Sequence, residues 1–315
     1  MLISVIVPVY NSAKTIKRLA KCLAAQTDEE YEVIFVNDGS TDETAEILKE
    51  FCADKKNFKI VTTKNGGAGA ARNAGIDKAS GGYICFADSD DLVSPNYVRQ
   101  LRKIATESGA DVVCTKYARN QKTDYEHVVN KSEIVAGAAA VDALLQMKID
   151  NGPVAKLFSR KLVGNIRMPN VMVAEDLYFN YEVLEKAKKV ALNDSVLYSY
   201  IETTGSLSTK RFSPERMGSL EIVQKIDAKE KSFYSEARVF MEAYFICELI
   251  VLAKAEKEYP DEYKKVCNIL TKERKNILSD ARATGRQKLI ARLLKLGPKM
   301  TVRVMTAKSS IRRKK

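Results

Sequence analysis

Three carboxylates within four positions close the segment Tyr83-Ile84-Cys85-Phe86-Ala87-Asp88-Ser89-Asp90-Asp91. Its apolar lead-in is short, carries aromatics and follows Gly81-Gly82, which predicts a buried strand over Tyr83–Ala87. Charge gathered at the end of such a strand must be solvated, paired or bound to a cation, because burying bare carboxylates is prohibitive. Alternate residues of an extended chain point the same way, so Asp88 and Asp90 can converge on one ion. Hard oxygen ligands of this kind suit Mg²⁺ or Mn²⁺, held between a few carboxylates and the phosphates of a substrate. Taken alone, the cluster is equally an Asp-rich, solvated turn ahead of a helix.

Two further stretches carry residues able to do chemistry. In Asn37-Asp38-Gly39-Ser40-Thr41-Asp42, Gly39 permits a tight turn and Ser40 or Thr41 can cap a helix. A turn and cap leave Asp38 unexplained, and a carboxylate there can accept the imide N–H of a uracil ring. In Lys64-Asn65-Gly66-Gly67-Ala68-Gly69-Ala70-Ala71-Arg72-Asn73-Ala74-Gly75, small residues let the backbone approach a ligand, and a helix N-terminus favours anions. Arg72 falls about one turn into that helix, within reach of a diphosphate or base. The spacing is not that of a dinucleotide-binding GxGxxG loop, and the stretch follows a third strand, not a first.

The elements that must position these residues alternate regularly. Strands are predicted over Ile3–Val9, Tyr31–Val36, Phe58–Thr62, Tyr83–Ala87 and Asp111–Thr115. Helices are predicted over Ala13–Ala25, Thr41–Cys52, Gly69–Lys78 and Pro95–Ser108. This rhythm with apolar strands specifies an α/β fold, a mostly parallel central sheet with helices on both faces. Ligands of such sheets bind beyond the carboxyl ends of the strands. Tyr10-Asn11, Asp38, Asn65 to Gly67 and Asp88 to Asp91 all fall there. Residues 118–152 are less regular, and the sole histidine, His127, is expected at the surface. Helical periodicity returns at Asp176–Lys186 and over 215–281, with a break at Tyr259-Pro260. Apolar runs such as Phe240–Leu252 suit core or subunit contacts, which leaves homo-oligomerisation through residues 213–281 open.

Val7-Pro8-Val9-Tyr10-Asn11, Asn37 to Asp42, Gly67–Asn73 with Gly75, and Asp88 to Asp91, in this order at successive strand ends, resemble the family 2 glycosyltransferases of the GT-A (Rossmann-like) fold. A weaker resemblance runs through Ala155-Lys156-Leu157-Phe158, Ala174-Glu175-Asp176-Leu177-Tyr178 and Gly205-Ser206-Leu207-Ser208. The resemblance implies a catalytic domain over residues 1–212, with a donor-binding half (1–115) and an acceptor half (116–212), then a helical region (213–281) and a basic tail (282–315). It implies a nucleotide-sugar site of Pro8, Tyr10, Asp38, Asn65, Gly67, Arg72, Asp88 and Ser89. Asp90 and Asp88 would hold a divalent Mg²⁺ or Mn²⁺. Asp176, paired with Glu175, would be the general base of an inverting, single-displacement transfer from a donor, UDP-linked, to a glycan or lipid-linked acceptor. Cell-envelope or capsular polysaccharide synthesis is the implied setting. Ile201 and Thr203 stand where the family often carries arginines, with Lys210 or Arg211 as substitutes. Asn37 replaces a common acid, and Gly152-Pro153-Val154-Ala155 is atypical. The alternative, supported by Ile201 and Thr203 alone, is a catalytically inactive nucleotide-sugar-binding module that tethers a membrane assembly complex.

Composition sets the remaining bounds. The 315 residues are 45% hydrophobic and 29% charged, which excludes wholesale disorder. Six scattered cysteines without a CxxC pair suit buried thiols in a reducing compartment, not disulfides or zinc. A strand begins almost at once and no uncharged apolar run of about 18 residues exists, so neither signal peptide nor transmembrane helix is expected. The net charge of +12 resides entirely in the tail, where twelve basic and no acidic residues follow Ala281. Leu289, Ile290, Leu293, Leu294 and Leu296 share a face before Gly297-Pro298, with Lys288, Arg292 and Lys295 flanking. Such a helix, with Arg312 to Lys315 beyond it, suits an anionic membrane surface. A solvated tail is the bland alternative, and nucleic acid is not expected as a partner. The implied location is cytoplasmic, peripheral on the inner face of the plasma membrane.

Overall fold

The computed structural model describes residues 1–121, 125–171, 173–202 and 212–312, with side chains up to residue 307. Thr203, Gly205-Ser206-Leu207-Ser208, Lys210, Arg211 and residues 313–315 lie outside the described residues. The chain divides into two units, Met1–Asn170 with Glu175–Ser206, and Val171–Ala174 with Leu207–Lys315.

The first unit alternates strand and helix as its sequence dictates: β1 (Ile3–Val9), α1 (Ile16–Ala24), β2 (Tyr31–Asn37), α2 (Thr44–Cys52), β3 (Phe58–Thr62), α3 (Ala68–Lys78) and β4 (Tyr83–Phe86). It continues through β5 (Leu92–Val93), α4 (Tyr97–Ser108), β6 (Val112–Arg119), β7 (Glu133–Val135), α5 (Gly137–Leu145), β8 (Lys156–Ser159), α6 (Arg160–Val163), α7 (Glu175–Lys186) and β9 (Val190–Tyr200). β1 and β2 are almost wholly buried, with Ser4, Glu32 and Asn37 as their polar positions, whereas in the outer strand β3 only Phe58 is buried. α1 begins later than its periodicity predicts, because Ser12 to Thr15 form a turn closed by Thr15 N–H on Ser12 O.

Among the described residues the strands form one sheet in the order β3-β2-β1-β4-β8-β6-β9-β5, with β7 beside β9. β3, β2, β1 and β4 are mutually parallel, so their carboxyl ends share one edge. β8 runs antiparallel between β4 and β6, and β9 is parallel to β6. An edge-to-face trio, Phe86 of β4, Phe158 of β8 and Phe179 of α7, has ring centroids 5.5–6.0 Å apart. It sets α7 against the strand that ends in the Asp cluster.

The second unit is helical: α8 (Met217–Glu230), α9 (Phe233–Leu252), α10 (Pro260–Ser279), α11 (Gly285–Leu293) and α12 (Pro298–Arg312). Pro260 opens α10 at the expected break, and Thr284 with Gln287 forms a capping box for α11. The tail is therefore continuous with the helical region. Ile290, Ala291, Thr301 and Val302 are completely buried. This corrects the apolar face expected over 289–296. Ile290 is turned into the protein, and the exposed apolar positions are Leu296, Met300 and Val304, four residues apart. His127 is exposed as expected, while Cys22, Cys52 and Cys267 are half-buried, not buried.

Candidate active site

The four loops at the shared edge are stitched together by polar side chains. Asn11, in the left-handed region at φ 45°, follows Tyr10, and its Oδ1 accepts the Thr41 N–H at 2.8 Å. Ser12 and Ser89 hydroxyls meet at 2.8 Å, joining the loop after β1 to the Asp cluster. Asp38 is buried and accepts N–H groups from Gly66 at 3.0 Å and Gly67 at 2.8 Å, with the Thr63 hydroxyl at 3.1 Å. In this structure Asp38 is thus the anchor of the Asn65–Gly67 loop. Asn65 is exposed beside it, Pro8 is half-buried in β1, and the Tyr10 ring is 50% exposed, open to stack on a flat ligand.

The glycines of the third loop divide by task. Gly67 sits at φ 87° with nothing near an added Cβ, so its backbone faces open space at the start of α3. Gly69 and Gly75 face protein instead. A Cβ at Gly69 would stand 3.0 Å from Glu175 Cγ, and one at Gly75 would stand 2.3 Å from Ile6 Cγ2. The helix is therefore pressed against both β1 and the start of α7, which carries Arg72 inward.

Arg72 is buried, and its guanidinium forks between two elements. One nitrogen lies 2.7 Å from Asp88 Oδ1 and the other 3.6 Å from Glu175 Oε1. Burial opposes its charge, but Asp88, Glu175 and Asp176 more than offset that and hold it protonated. Glu175 and Asp176 open α7 after Ala174, which has φ 70°. Desolvation, then the neighbouring Asp176, pushes Glu175 up to about 7 against the partial relief of Arg72. Asp176 is also raised, first by desolvation, with Asp150 and Asp88 adding to it and Arg72 and the Leu177 N–H opposing. Both carboxyls thus hold a proton more tightly than an ordinary side-chain acid.

Several participants were not assigned roles from the sequence. Asp91 is wholly buried and accepts the Tyr198 hydroxyl at 2.6 Å and the Ile201 N–H at 2.7 Å. Desolvation and then Asp88 push Asp91 up to about 8. The same Tyr198 oxygen accepts the Asp88 N–H at 2.9 Å, so one side chain from β9 fixes the cluster. Ile201 is itself buried, held in place by Asp91. Arg18 donates to the Asp90 carbonyl. Lys156, almost wholly buried, donates to Gly152 O at 2.6 Å. Nothing in the sequence spacing ties these partners together, since Tyr198 and Asp91 stand 107 positions apart.

Among the described residues no group of three or more His, Cys, Asp or Glu side chains is gathered to hold a metal by itself. Asp88 and Asp90 nevertheless supply the donor chemistry that a hard divalent cation takes in partnership with substrate phosphates, where one or two carboxylates suffice.

A parallel half-sheet whose strand-end loops carry carboxylates, with the Glu175-Asp176 pair tied to them through Arg72, is an arrangement of the GT-A fold. The model of the family described as Glycosyl transferase family 2 matches residues 4–167, and this chain belongs to that family. Glycosyltransferase GlyA of Streptococcus pneumoniae is 31% identical over 218 residues, 65% of this chain but 31% of that protein. Glycosyltransferase GlyG of the same organism is 30% identical over 223 residues, 67% of this chain and 74% of that protein. The chain thus spans a third of one relative and three quarters of the other. The fold is similar to S. aureus TarS 1-349 crystallised with UDP-GlcNAc, with a TM-score of 0.67, 21% identity, and 100% and 93% of the two chains covered.

Proposed function

We propose that this chain transfers a sugar from a UDP-linked donor to a glycan or lipid-linked acceptor, with inversion at the anomeric carbon, in cell-envelope or capsular polysaccharide synthesis. The observation that carries this proposal is the Arg72 fork, which ties Asp88 at the end of β4 to Glu175 at the start of α7. It brings a diphosphate-side carboxylate and an acid–base pair to opposite sides of one cation. The UDP-GlcNAc bound by TarS, a protein of similar fold, supports a UDP donor.

In this mechanism Tyr10 and Pro8 flank the base, and Asp38 holds the Asn65–Gly67 loop beside it. Gly67, without a side chain at the open start of α3, leaves the diphosphate room to approach the helix N-terminus. Asp90 would be the principal ligand of a divalent metal with Asp88 supporting it, and Ser89 lies between them in the sequence at the donor side. Bound there, Mg²⁺ or Mn²⁺ would offset negative charge on the departing diphosphate. Asp176 accepts the proton of the acceptor hydroxyl as its oxygen bonds to the anomeric carbon. The bond from that carbon to the diphosphate oxygen breaks on the opposite face, hence inversion. Desolvation, with Asp150 and Asp88 beside it, keeps the proton affinity of Asp176 raised, and Arg72 limits that rise.

No described helix is long and apolar enough to cross a membrane. Peripheral binding to an anionic inner-leaflet surface through the tail is part of the proposal, carried by exposed Leu296, Met300 and Val304 among basic residues. Exposed Phe245 and Leu252 on α9 are the basis for self-association.

A panel of nucleotide sugars tests the donor and stereochemical claims. UDP-sugars with Mn²⁺ should raise the melting temperature, GDP- and CMP-sugars should not, and proton NMR of the product should report the inverted anomer. A retained anomer, or no response to any UDP-sugar, would sink the proposal.

A further inference from the structure

A cleft of about 700 Å³ opens between the carboxyl-terminal half of β6, strand β7, the start of β9, and α5 with the segment after it. No residue assigned above to donor, metal or base lines it. Its floor nevertheless reaches the base. Asp150 lines the cleft and is fixed by two hydrogen bonds, accepting the Tyr117 hydroxyl at 2.8 Å and the Gly152 N–H at 2.8 Å. A Cβ at Gly152 would stand 3.1 Å from Asp150 Oδ1 and 4.0 Å from Asp176 Oδ2. The Gly152 backbone thus lies beside both the cleft carboxylate and the proposed base.

The lining is about equally polar and apolar, and its charges cancel. Lys116, Arg119 and Lys148 face Glu133, Asp150 and Asp194, and Lys116 approaches Asp194 to 4.0 Å. A polyanion entering here would meet three carboxylates, whereas sugar hydroxyls can donate to carboxylates and accept from lysine and arginine. Tyr117, with Arg119 over its ring at 5.3 Å, and the exposed Met147 supply apolar surface of the kind that covers sugar faces. The volume lies in the range of about 300–1,000 Å³ that encloses a ligand of several rings.

We propose that this cleft binds a neutral oligosaccharide acceptor, with Asp150 holding a hydroxyl on the sugar that carries the attacking group and the cleft holding the units beyond it. The inference rests on the proposed glycosyl transfer and names its acceptor class. Gly152 is then the point at which the acceptor passes from cleft to base.

The test uses the full chain with UDP and Mn²⁺ on an array of immobilised neutral oligosaccharides and a polyol-phosphate polymer. At least one neutral oligosaccharide should bind. Ala139→Trp, an exposed α5 position whose indole fills the cleft, should weaken that binding at least 10-fold, and Asp150→Asn about 10-fold. Three results would overturn the proposal: no neutral glycan retained, preference for the polyol phosphate, or binding undiminished by Ala139→Trp. Melting temperatures of the same samples with and without UDP separate the two claims. A wild type with no UDP response contradicts the donor proposal, and a variant that keeps the response but loses glycan is folded and blocked in the cleft.

Discussion

At the scale of the residue, the site is a problem of charge held close together. Arg72 was legible in the sequence as a basic residue one turn into a glycine-rich helix, which pointed it at a diphosphate. Its position is further inside, bridging Asp88 and Glu175. Removing one partner of a buried ion pair leaves the others uncompensated, at a cost of about 3–5 kcal/mol. Arg72→Met should therefore lower unfolding stability by that order in a urea titration and abolish turnover; Arg72→Lys, unable to fork, should recover stability better than activity. Glu175 gives a pH-dependent prediction. Its proton is held to about 7 in the folded protein against an ordinary value of 4.5. The folded state binds that proton more tightly, so stability is full below the ordinary value and is lost as pH rises through about 7. Glu175→Gln should be more stable than wild type at pH 8, on the order of 1–3 kcal/mol, with the gain vanishing at pH 4. Melting curves at the two pH values check this. Asp38, Asp88 and Asp90 stood out because they fall at successive strand ends of one sheet edge, whereas Asp176 stood out only through the family resemblance, since an acid at a helix start is ordinarily accounted for by the helix dipole. Asp91 with Tyr198 could not, because a buried hydrogen bond between distant positions leaves no local pattern.

At the scale of the element, α3 shows what small residues are for. The sequence suggested that its glycines let a ligand approach, and Gly67 fits that role. Gly75 serves packing: an added Cβ would stand 2.3 Å from Ile6 Cγ2 in the centre of the sheet. Gly75→Ala should force α3 off β1 and cost about 1–3 kcal/mol by chemical denaturation, despite alanine's better helix propensity. Because α3 carries Arg72, turnover should fall further than stability explains. β1, β2 and β4 were readable because strands buried on both faces are near-continuous apolar runs, and the outer strand β3 from its short β-branched and aromatic stretch. β7 and β9 were not. β7 has three residues, and the pairing of β6 with β9 slips register between Cys114 and Lys116 and again before Ala118. Asn193-Asp194 also breaks the alternation inside β9. Irregular pairing of this sort erases the period on which strand recognition depends.

At the scale of the whole molecule, the excess charge and the chemistry lie in different parts of the chain. The tail's sequence showed a basic amphipathic segment, but only folding decides which apolar side chains remain outside. With Ile290 and Val302 buried, cutting the chain at Ala281 would strip core residues from the helical unit, so surface substitution is the sharper probe. Leu296→Ser with Met300→Ser and Val304→Ser should leave the melting temperature close to wild type and abolish flotation with anionic liposomes; undiminished flotation would assign the charge another use. The central claim is that Asp176 removes the acceptor proton while Asp90 serves the diphosphate through a divalent ion. Its most direct measurement is the initial rate of UDP release from the donor sugar with acceptor present, for wild type, Asp176→Asn and Asp90→Ala, with Mn²⁺ and after chelation. The account predicts a Mn²⁺-dependent rate that falls about 10²–10⁴-fold in Asp176→Asn while UDP still raises its melting temperature, and a rate in Asp90→Ala that is near the chelated background. Mn²⁺-dependent release at the wild-type rate in both variants would contradict it.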